Sequence, residues 1–367
     1  MTTRRLQNNQ TLVNRYIILN FHAEGGMQEV YRSYDSTLDR IVAIKTPKNG
    51  VADRRFKRGA EMGARINHPN VAATFDYFEE MESTFLVEEF IDGTDLGDRF
   101  KNNFHYLDPS LAAHVLHHLS KALSEAHRVG ICHRDIKPGN IMVSNDPSLT
   151  TVKLTDFGIA KLAENEIAAE IELFDKDEST LTSSNTLLGA VPYMAPECWD
   201  NWKGAGQPMD VWAIGCVAYQ LLSGITPFGT GRPAIINVVK YQQGAFSVDK
   251  PKTFGKHKSV EVLEDALWEI IQACLIVNPL SRLTSDKLLA ILDNLCYAIT
   301  ERLTGTVQVY GQPYPKTGFV DHKNGNSYFF HRSEYFGNVK PEMGQNVNFS
   351  YYEGVPNARC APLLLLK

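Results

Sequence analysis

The sequence predicts an α+β fold in which a small β-rich lobe and a larger helical lobe precede a small all-β unit. Short β-forming runs dominate from residue 14 to residue 90. Beyond residue 93 the apolar residues follow the spacing of amphipathic and buried helices. From residue 303 onward, strand and turn formers return. The predicted units are a flexible tail over 1–12, lobes over 13–91 and 92–300, and a final unit over 303–367.

The composition is typical of a soluble protein with more than one folded unit. A chain of 367 residues is long for a single core. Its net charge of −5 argues against general binding to polyanions. Six scattered cysteines without a Cys-x-x-Cys pair indicate neither a zinc site nor a disulfide framework. Because no apolar run approaches the ~18 residues that span a bilayer, we expect a cytoplasmic protein without membrane contact.

Four motifs follow one another in the order that phosphoryl transfer requires. Lys45 ends an apolar strand, where an unpaired ammonium would be costly. Residues 133–135 (His-Arg-Asp) supply a proton acceptor, and Asn140 follows as a metal ligand. Residues 156–158 (Asp-Phe-Gly) add a carboxylate for Mg²⁺, and residues 195–197 (Ala-Pro-Glu) close the segment. Each motif alone occurs by chance, but all four in this order are specific.

With these motifs, residues 14 to about 300 resemble a eukaryotic-type Ser/Thr protein kinase domain, most similar to the bacterial (Hanks-type) members. The resemblance implies the bilobal protein-kinase fold, ATP with Mg²⁺ (or Mn²⁺), and phosphate transfer to Ser/Thr hydroxyls of a protein substrate. It implies Asp135, Lys137 and Lys45 as catalytic residues, Asn140 and Asp156 as metal ligands, and Gly25, Gly26, Val30, Ala43, Lys45, Glu88 and Glu89 as ATP-binding residues.

The same resemblance assigns individual roles. Asp135 would be the catalytic base, Lys137 would steady the γ-phosphate, and Lys45 would contact the α- and β-phosphates. Asp210 would hold the catalytic loop in place, and Glu197 would pair with an arginine, Arg282, as part of the scaffold.

One departure from the family concerns how ATP is held. Of the three glycines that the family carries before Val30, only Gly25 is present, with Gly26 beside it. The missing glycines weaken the expected backbone grip on phosphates. A second departure concerns which hydroxyl accepts the phosphate. Lys137, two residues after Asp135, matches the pattern of Ser/Thr kinases, whereas Ala190 stands where these kinases usually carry threonine.

The larger departure is the helix glutamate that should pair with Lys45, because that position is Gly59. The gatekeeper position, usually apolar, is Glu88, and a buried glutamate needs a partner or a raised pKa. We hypothesise that Glu88 pairs with Lys45. The alternatives are that Glu61 serves through a shift of the helix, since it lies two residues from the expected register, or that the alignment is off by one residue.

The predicted activation segment, 156–197, carries an acidic insert at 164–178 with seven acids and one base. The insert is interpreted either as a solvated loop or as a permanent mimic of a phosphate. Hydroxyls follow it where activating phosphates could meet Arg134, so autophosphorylation is expected there. The candidate sites are Ser179, Thr180, Thr182, Ser183, Ser184 and Thr186.

Residues 303–367 resemble, more weakly, a cold-shock-like OB domain, in which exposed aromatic residues stack on single-stranded bases. The corresponding positions here are Tyr310, Phe319, Phe329 and His331. The unit has only six Lys/Arg against four acids, so its partner is either nucleic acid or a regulatory protein. Three functions therefore stay open: an active kinase, a pseudokinase or ATP-binding scaffold, and a kinase regulated by nucleic acid.

Overall fold

The computed structural model describes residues 4–25, 28–48, 54–80, 82–157, 189–201, 204–298, 300–312 and 314–367. The acidic insert, all six phosphosite candidates and Gly26 lie outside the described residues.

The N-terminal lobe is a six-stranded antiparallel sheet in the order β1-β2-β3-β4-β6-β5. Strand β3 alternates between buried and half-buried residues, as its period-2 sequence predicts. One helix, α1, packs on β5 and β6 through Phe56, Ala60 and Leu86. The elements are β1 (Thr11–Leu12), β2 (Tyr16–Glu24), β3 (Gln28–Asp35), β4 (Arg40–Pro47), α1 (Arg54–Gly63), β5 (Thr74–Glu80) and β6 (Ser83–Glu89).

Residues 4–12 differ from the predicted flexible tail. Leu6 is buried in the apolar core of the sheet, and β1 pairs with β2. Arg5 fixes the segment by donating to the Pro47 carbonyl oxygen at 3.0 Å and to Ser83 Oγ at 2.8 Å. With only Leu6 and Leu12 facing the core, the segment has too few apolar residues for a periodic signal.

The C-terminal lobe is helical around one large apolar core, with a three-stranded sheet, β7-β8-β9, at its upper edge. Helix α3 begins at Pro109, where the Asp108 carboxylate accepts from the Leu111 N–H. The elements are β7 (Gly93–Asp95), α2 (Leu96–Asn102), α3 (Pro109–Arg128), β8 (Ile141–Ser144), β9 (Val152–Leu154), α4 (Pro196–Asn201), α5 (Gln207–Ser223), α6 (Gly231–Gln242), α7 (Glu261–Cys274) and α8 (Ser285–Asp293).

Helix α5 lies at the centre of this lobe. Its sequence is almost wholly apolar, and nearly every residue is buried. Gly224 follows its last residue with a left-handed φ of +80°, and a Cβ there would lie 2.3 Å from the His105 carbonyl oxygen. Among the described residues, no helix combines the length and the apolar character that crossing a bilayer demands.

The chain closes with a β-barrel in which strands pair in the order β12-β11-β10-β14-β15-β13. A parallel contact between β12 and β15, with Phe329 opposite Arg359, closes the barrel. Its interior is a separate apolar core built on residues such as Val307, Phe330 and Phe349. The strands are β10 (Arg302–Tyr310), β11 (Thr317–Asp321), β12 (Ser327–His331), β13 (Tyr335–Phe336), β14 (Asn346–Tyr352) and β15 (Arg359–Leu365).

The barrel is docked firmly on the helical lobe. Phe336 and Leu364 belong to the large helical core rather than to the barrel's own core. Phe336 stacks on His257 with ring centroids 3.8 Å apart. The interface therefore resembles an internal packing surface, not a flexible linkage between two independent units.

Candidate active site

A cleft of about 320 Å³ separates the two lobes. Strands β2, β3, β4 and β6 form its upper wall, and residues from β7, α2, β8 and the segment after β9 form its lower wall. Most of the predicted ATP-binding side chains meet here. The predicted residues that line the cleft are Gly25, Val30, Ala43, Lys45, Glu88, Glu89 and Asp156.

Lys45 lies between two carboxylates inside this cleft. Its Nζ atom is 2.6 Å from Glu88 Oε2 and 2.5 Å from Asp156 Oδ1. The pairing of β4 with β6 sets Ala43 opposite Glu88, and this register brings the carboxylate beside the ammonium. Lys45 is 7% exposed and Glu88 6% exposed. The pairing hypothesised between Lys45 and Glu88 is present in the structure.

The electrostatics of this cluster follow from burial and from the ion pairs. Burial alone would lower the pKa of Lys45, but Asp156 and Glu88 outweigh it and raise that pKa, so the ammonium stays charged. Burial likewise raises the pKa of Glu88, against the opposing pull of Lys45. Burial would raise the pKa of Asp156, but the attraction of Lys45 outweighs it and lowers that pKa. Asp156 is therefore the more firmly ionised of the two carboxylates.

Helix α1 supplies no carboxylate to this cluster. Gly59 is buried, whereas Glu61 is exposed and lines a second cleft, of about 530 Å³, together with Arg58 and Arg65. Arg65 donates to the Val129 carbonyl oxygen at 2.8 Å. The alternative in which Glu61 reaches Lys45 is therefore absent from this conformation, and the helix keeps the register counted from the sequence.

The predicted catalytic residues form a second cluster on the loop between α3 and β8. Lys137 Nζ lies 2.8 Å from Asp135 Oδ2. The Asn140 amide donates to Asp135 Oδ2 at 2.9 Å and to the Asp135 carbonyl oxygen at 2.7 Å. Arg134 and Asp156 both have left-handed φ angles, of 70° and 65°. The Asp135 carboxylate is thus held in one orientation by a lysine and an amide.

A buried carboxylate holds this loop by its backbone. Asp210 Oδ2 accepts from the His133 N–H at 2.8 Å, and Oδ1 accepts from the Arg134 N–H at 2.7 Å. His127, in the last turn of α3, is bonded to the same carboxylate at 2.9 Å. The contact of Asp210 was predicted from the sequence, whereas that of His127 was not, because a histidine on the buried face of a helix gives no distinct signal.

The scaffold pair expected at the end of the activation segment is also in place. Arg282 is almost fully buried, and its guanidinium makes two parallel bonds to Glu197, of 2.6 Å and 2.9 Å.

The donor set fits a magnesium ion. Asn140 uses its amide N–H₂ group on Asp135, which leaves its carbonyl oxygen for other contacts. Asp156 contributes an ionised carboxylate in the cleft, and only Oδ1 is engaged by Lys45. Mg²⁺ prefers oxygen ligands and commonly takes one or two from the protein beside the substrate phosphates.

Several residues at the cleft were missed from the sequence. The side-chain amide of Gln28 donates to Asp156 Oδ1 at 3.4 Å. Asp95 and Asp98, at the beginning of α2, line the lower wall. Glu89, by contrast, was predicted at the cleft and lines it, and its carboxylate also forms an ion pair with Lys153 at 2.8 Å. No sequence motif marks Gln28, Asp95 or Asp98, since their positions at the cleft depend on how the lobes meet.

Of the four aromatic positions named on the barrel, Phe319, Phe329 and His331 lie on its outer face, whereas Tyr310 packs against the barrel's apolar core and does not belong to the predicted surface. Phe319 and Phe329 pack edge to face at 5.7 Å and are half-buried, while His331 is exposed. Tyr310 is half-buried and stacks on Phe330 at 6.0 Å.

Strand register extends the Phe319–Phe329 pair into a row. Phe329 faces Arg359 across β12 and β15, and Arg359 faces Tyr352 across β15 and β14. The Arg359 guanidinium lies 5.8 Å from the Phe329 ring centroid. Arg359 and Tyr352 were missed as members of this surface, because their alignment depends on barrel closure.

Comparisons with known proteins bear on the whole arrangement. The family model of the protein kinase domain matches residues 22–291. The probable serine/threonine-protein kinase PknB of Lactococcus lactis is 33% identical over 249 residues, which cover 66% of this chain and 37% of that protein. The serine/threonine-protein kinase PrkC of Bacillus subtilis is 34% identical over 236 residues, which cover 62% of this chain and 33% of that protein. The chain therefore spans only about a third of the length of the curated relatives it matches.

A solved structure supports the fold. The crystal structure of Rad53 1–466 in complex with AMP-PNP superposes with a TM-score of 0.54 at 23% identity, covering 75% of this chain and 64% of that one. At this identity the likeness extends to the fold of the two lobes and not to details of the site.

Proposed function

The chain belongs to the protein kinase family, and we propose that it transfers the γ-phosphate of ATP to Ser/Thr hydroxyls of protein substrates. The observation that carries the proposal is the pair of clusters at the cleft. Lys45 is held between Glu88 and Asp156, and Asp135 is held by Lys137 and Asn140. A phosphoryl-transfer site needs positioned charge at both the phosphates and the attacking hydroxyl.

In this proposal each cluster does one task. Lys45 binds phosphate oxygens of ATP, and Lys137 neutralises charge at the transferring phosphoryl group. Asp135 accepts the proton of the substrate hydroxyl as the oxygen attacks. Mg²⁺ (or Mn²⁺), held by Asn140 and Asp156, would supply charge neutralisation across the phosphate oxygens.

Glu88 gives the proposed kinase an unusual mode of control. In many family members the glutamate on helix α1 swings toward and away from the lysine. Here the partner is on the central sheet, and Gly59 offers no side chain to swing. We therefore expect the lysine to stay positioned whatever the position of α1.

Incorporation of labelled γ-phosphate into a generic Ser/Thr protein mixture tests the activity. The full chain should transfer label in the presence of Mg²⁺, and Asp135→Asn should lose at least about 100-fold of that rate, because the proton acceptor is removed. Nucleotide binding without transfer in the unaltered chain would instead favour a pseudokinase or ATP-binding scaffold.

We also propose that the chain autophosphorylates between residues 179 and 186 of its activation segment. The support is sequence position: several hydroxyls follow Asp156 and precede Glu197, where an added phosphate can pair with an arginine beside the catalytic loop. Peptide mapping after incubation with ATP should find phosphate on one or more of these hydroxyls. The same experiment with Asp135→Asn should find none.

A second function is favoured by the aromatic row on the barrel. The closed strand order, with a parallel contact between β12 and β15, supports an OB-like barrel. Phe319, Phe329 and Tyr352, with Arg359 among them, form a partly exposed surface that can stack on planar bases. We propose that this surface binds single-stranded nucleic acid.

Filter binding of single-stranded RNA at several salt concentrations tests this surface. Binding should weaken as salt rises, and Phe329→Ala should reduce it by removing one stacking ring. Equal retention by the unaltered chain and the variant would favour a protein partner.

A further inference from the structure

The C-terminal barrel touches the short helix that lines the proposed nucleotide cleft. Helix α2 has only seven residues, and isolated helices of this length are unstable in water. Its position therefore depends on tertiary contacts: Leu96 and Phe100 pack into the large apolar core, and polar contacts are made at both ends. One end lines the cleft, and the other lies against the last residues of the barrel.

The first turn of α2 belongs to the cleft. Asp95 caps the helix by accepting from the Asp98 N–H at 2.9 Å, and both residues line the lower wall. Gly97 lies beside the catalytic loop, where an added Cβ would be in ordinary van der Waals contact with the Gly139 nitrogen at 3.5 Å. A small displacement of α2 would therefore move the lower wall of the cleft and press on the loop that follows Lys137.

The last turn of α2 is completed by the barrel. A helix leaves its last four carbonyl groups without partners inside the helix. The Arg99 carbonyl accepts from the Asn103 and Phe104 N–H groups. The next two carbonyl oxygens, of Phe100 and Lys101, accept from the Lys367 ammonium at 2.5 Å and 3.3 Å.

This contact suits both the geometry and the charge of a helix end. A cation at a helix C-terminus interacts favourably with the helix dipole and can bond the free carbonyl groups. The neighbouring backbone reinforces it. The Lys367 N–H donates to the Asn103 carbonyl oxygen at 2.9 Å, and Leu366 forms an antiparallel bridge with Phe104.

A second, buried contact fixes the barrel to the same lobe. Arg302, on the first barrel strand, lies 2.6 Å from the Asp108 carboxylate that caps α3, and both side chains are almost fully buried. Arg302 also donates to Asn348, whose amide donates to the Pro147 carbonyl oxygen at 2.8 Å. The barrel is thus held rigidly enough for Lys367 to act on α2 as a fixed point.

We propose that the barrel is an intramolecular brace for nucleotide binding, and that Lys367 is a positioning residue that acts on the cleft through α2. The inference rests on the proposed nucleotide-binding function. It assigns the barrel a role in the phosphotransfer site that does not depend on any ligand of the barrel.

Calorimetric titration of the full chain with AMP-PNP and Mg²⁺ tests the brace. Lys367→Met keeps an apolar stem but removes the ammonium, and it should weaken nucleotide binding about 2- to 5-fold, the range for a charge at a helix end. Lys367→Arg should restore most of the affinity. Lys323→Met, in the exposed turn between β11 and β12, is the matched control and should bind as the unaltered chain does.

Steady-state kinetics separates positioning from general stability. For Lys367→Met the KM for ATP should rise by the same factor, while kcat and the KM for a peptide substrate stay within twofold. An unchanged affinity in Lys367→Met, beside normal binding by the unaltered chain, overturns the brace alone. Failure of the unaltered chain to bind AMP-PNP overturns the proposed nucleotide-binding function, and the brace with it.

Discussion

The catalytic loop and the Lys45 cluster both hold charged groups still, but they use different parts of the molecule. Asp210, which is buried in the helical lobe, fixes the loop by accepting hydrogen bonds from two of its backbone N–H groups. Lys45 is fixed by side-chain ion pairs within the β-sheet and across the cleft. The contact between helix α1 and the lysine can therefore be lost while the anchor of the catalytic loop is kept.

The largest effect on phosphate transfer should come from replacing Asp210, which holds the catalytic loop. Asp210→Ala leaves the buried His133 N–H without this acceptor, which costs about 1–3 kcal/mol. It also removes the bond from the half-buried Arg134 N–H, and it releases Asp135 from its position. Phosphate transfer should fall by about 100-fold or more, with a clear loss of thermal stability in calorimetry. Normal activity in Asp210→Ala would show that the loop is held by other contacts.

A nearly equal effect on stability is expected where the barrel meets α3. Arg302→Met leaves the buried Asp108 carboxylate unpaired, which should lower the free energy of unfolding by about 3–5 kcal/mol. Urea denaturation measures it. The double variant Arg302→Met/Asp108→Asn should recover part of this loss, because asparagine can still cap α3 without a buried charge. If the double variant is no more stable than Arg302→Met, the ion pair does not fix the interface.

Of the two glutamates considered as partners of Lys45, only Glu88 should affect the use of ATP. Glu88→Gln removes a charge that holds the ammonium, so kcat/KM for ATP should fall about 10- to 100-fold through misplacement of Lys45. Glu61→Gln is the matched control on helix α1 and should change it by less than about twofold, since exposed charges contribute little. A loss of activity in Glu61→Gln but not in Glu88→Gln would show that the partner of Lys45 lies on helix α1.

The smallest effect concerns pH. Burial raises the pKa of Glu88, so its carboxylate is protonated at a higher pH than an ordinary glutamate. Turnover in the unaltered chain should therefore decline as pH falls through that raised pKa, because Lys45 loses one of its two anionic partners. A pH profile of kcat/KM for Glu88→Gln should be lower but flatter on the acid side. Identical acid limbs would assign the decline to another group.

Features built from neighbouring residues could be predicted from the sequence, whereas contacts between distant surfaces could not. Local motifs predicted the loop around Asp135, because its residues are neighbours in the chain. The family resemblance placed Glu88 at the gatekeeper position, and the need of a buried glutamate for a partner led to the hypothesis that it pairs with Lys45. The burial of Leu6, the bond from Gln28 to Asp156 and the brace at Lys367 arise from surfaces that meet only after folding. The sequence carries no periodic trace of such contacts.

Moving the carboxylate back to helix α1 tests the central claim most directly. Glu88→Met should lose most phosphate transfer by leaving Lys45 with Asp156 alone. Gly59→Glu in that background places a glutamate at the family's helix position, and labelled-phosphate assays should recover a substantial part of the rate. Recovery would show that Glu88 does the work of the missing helix glutamate. Full activity in Glu88→Met alone would contradict the account.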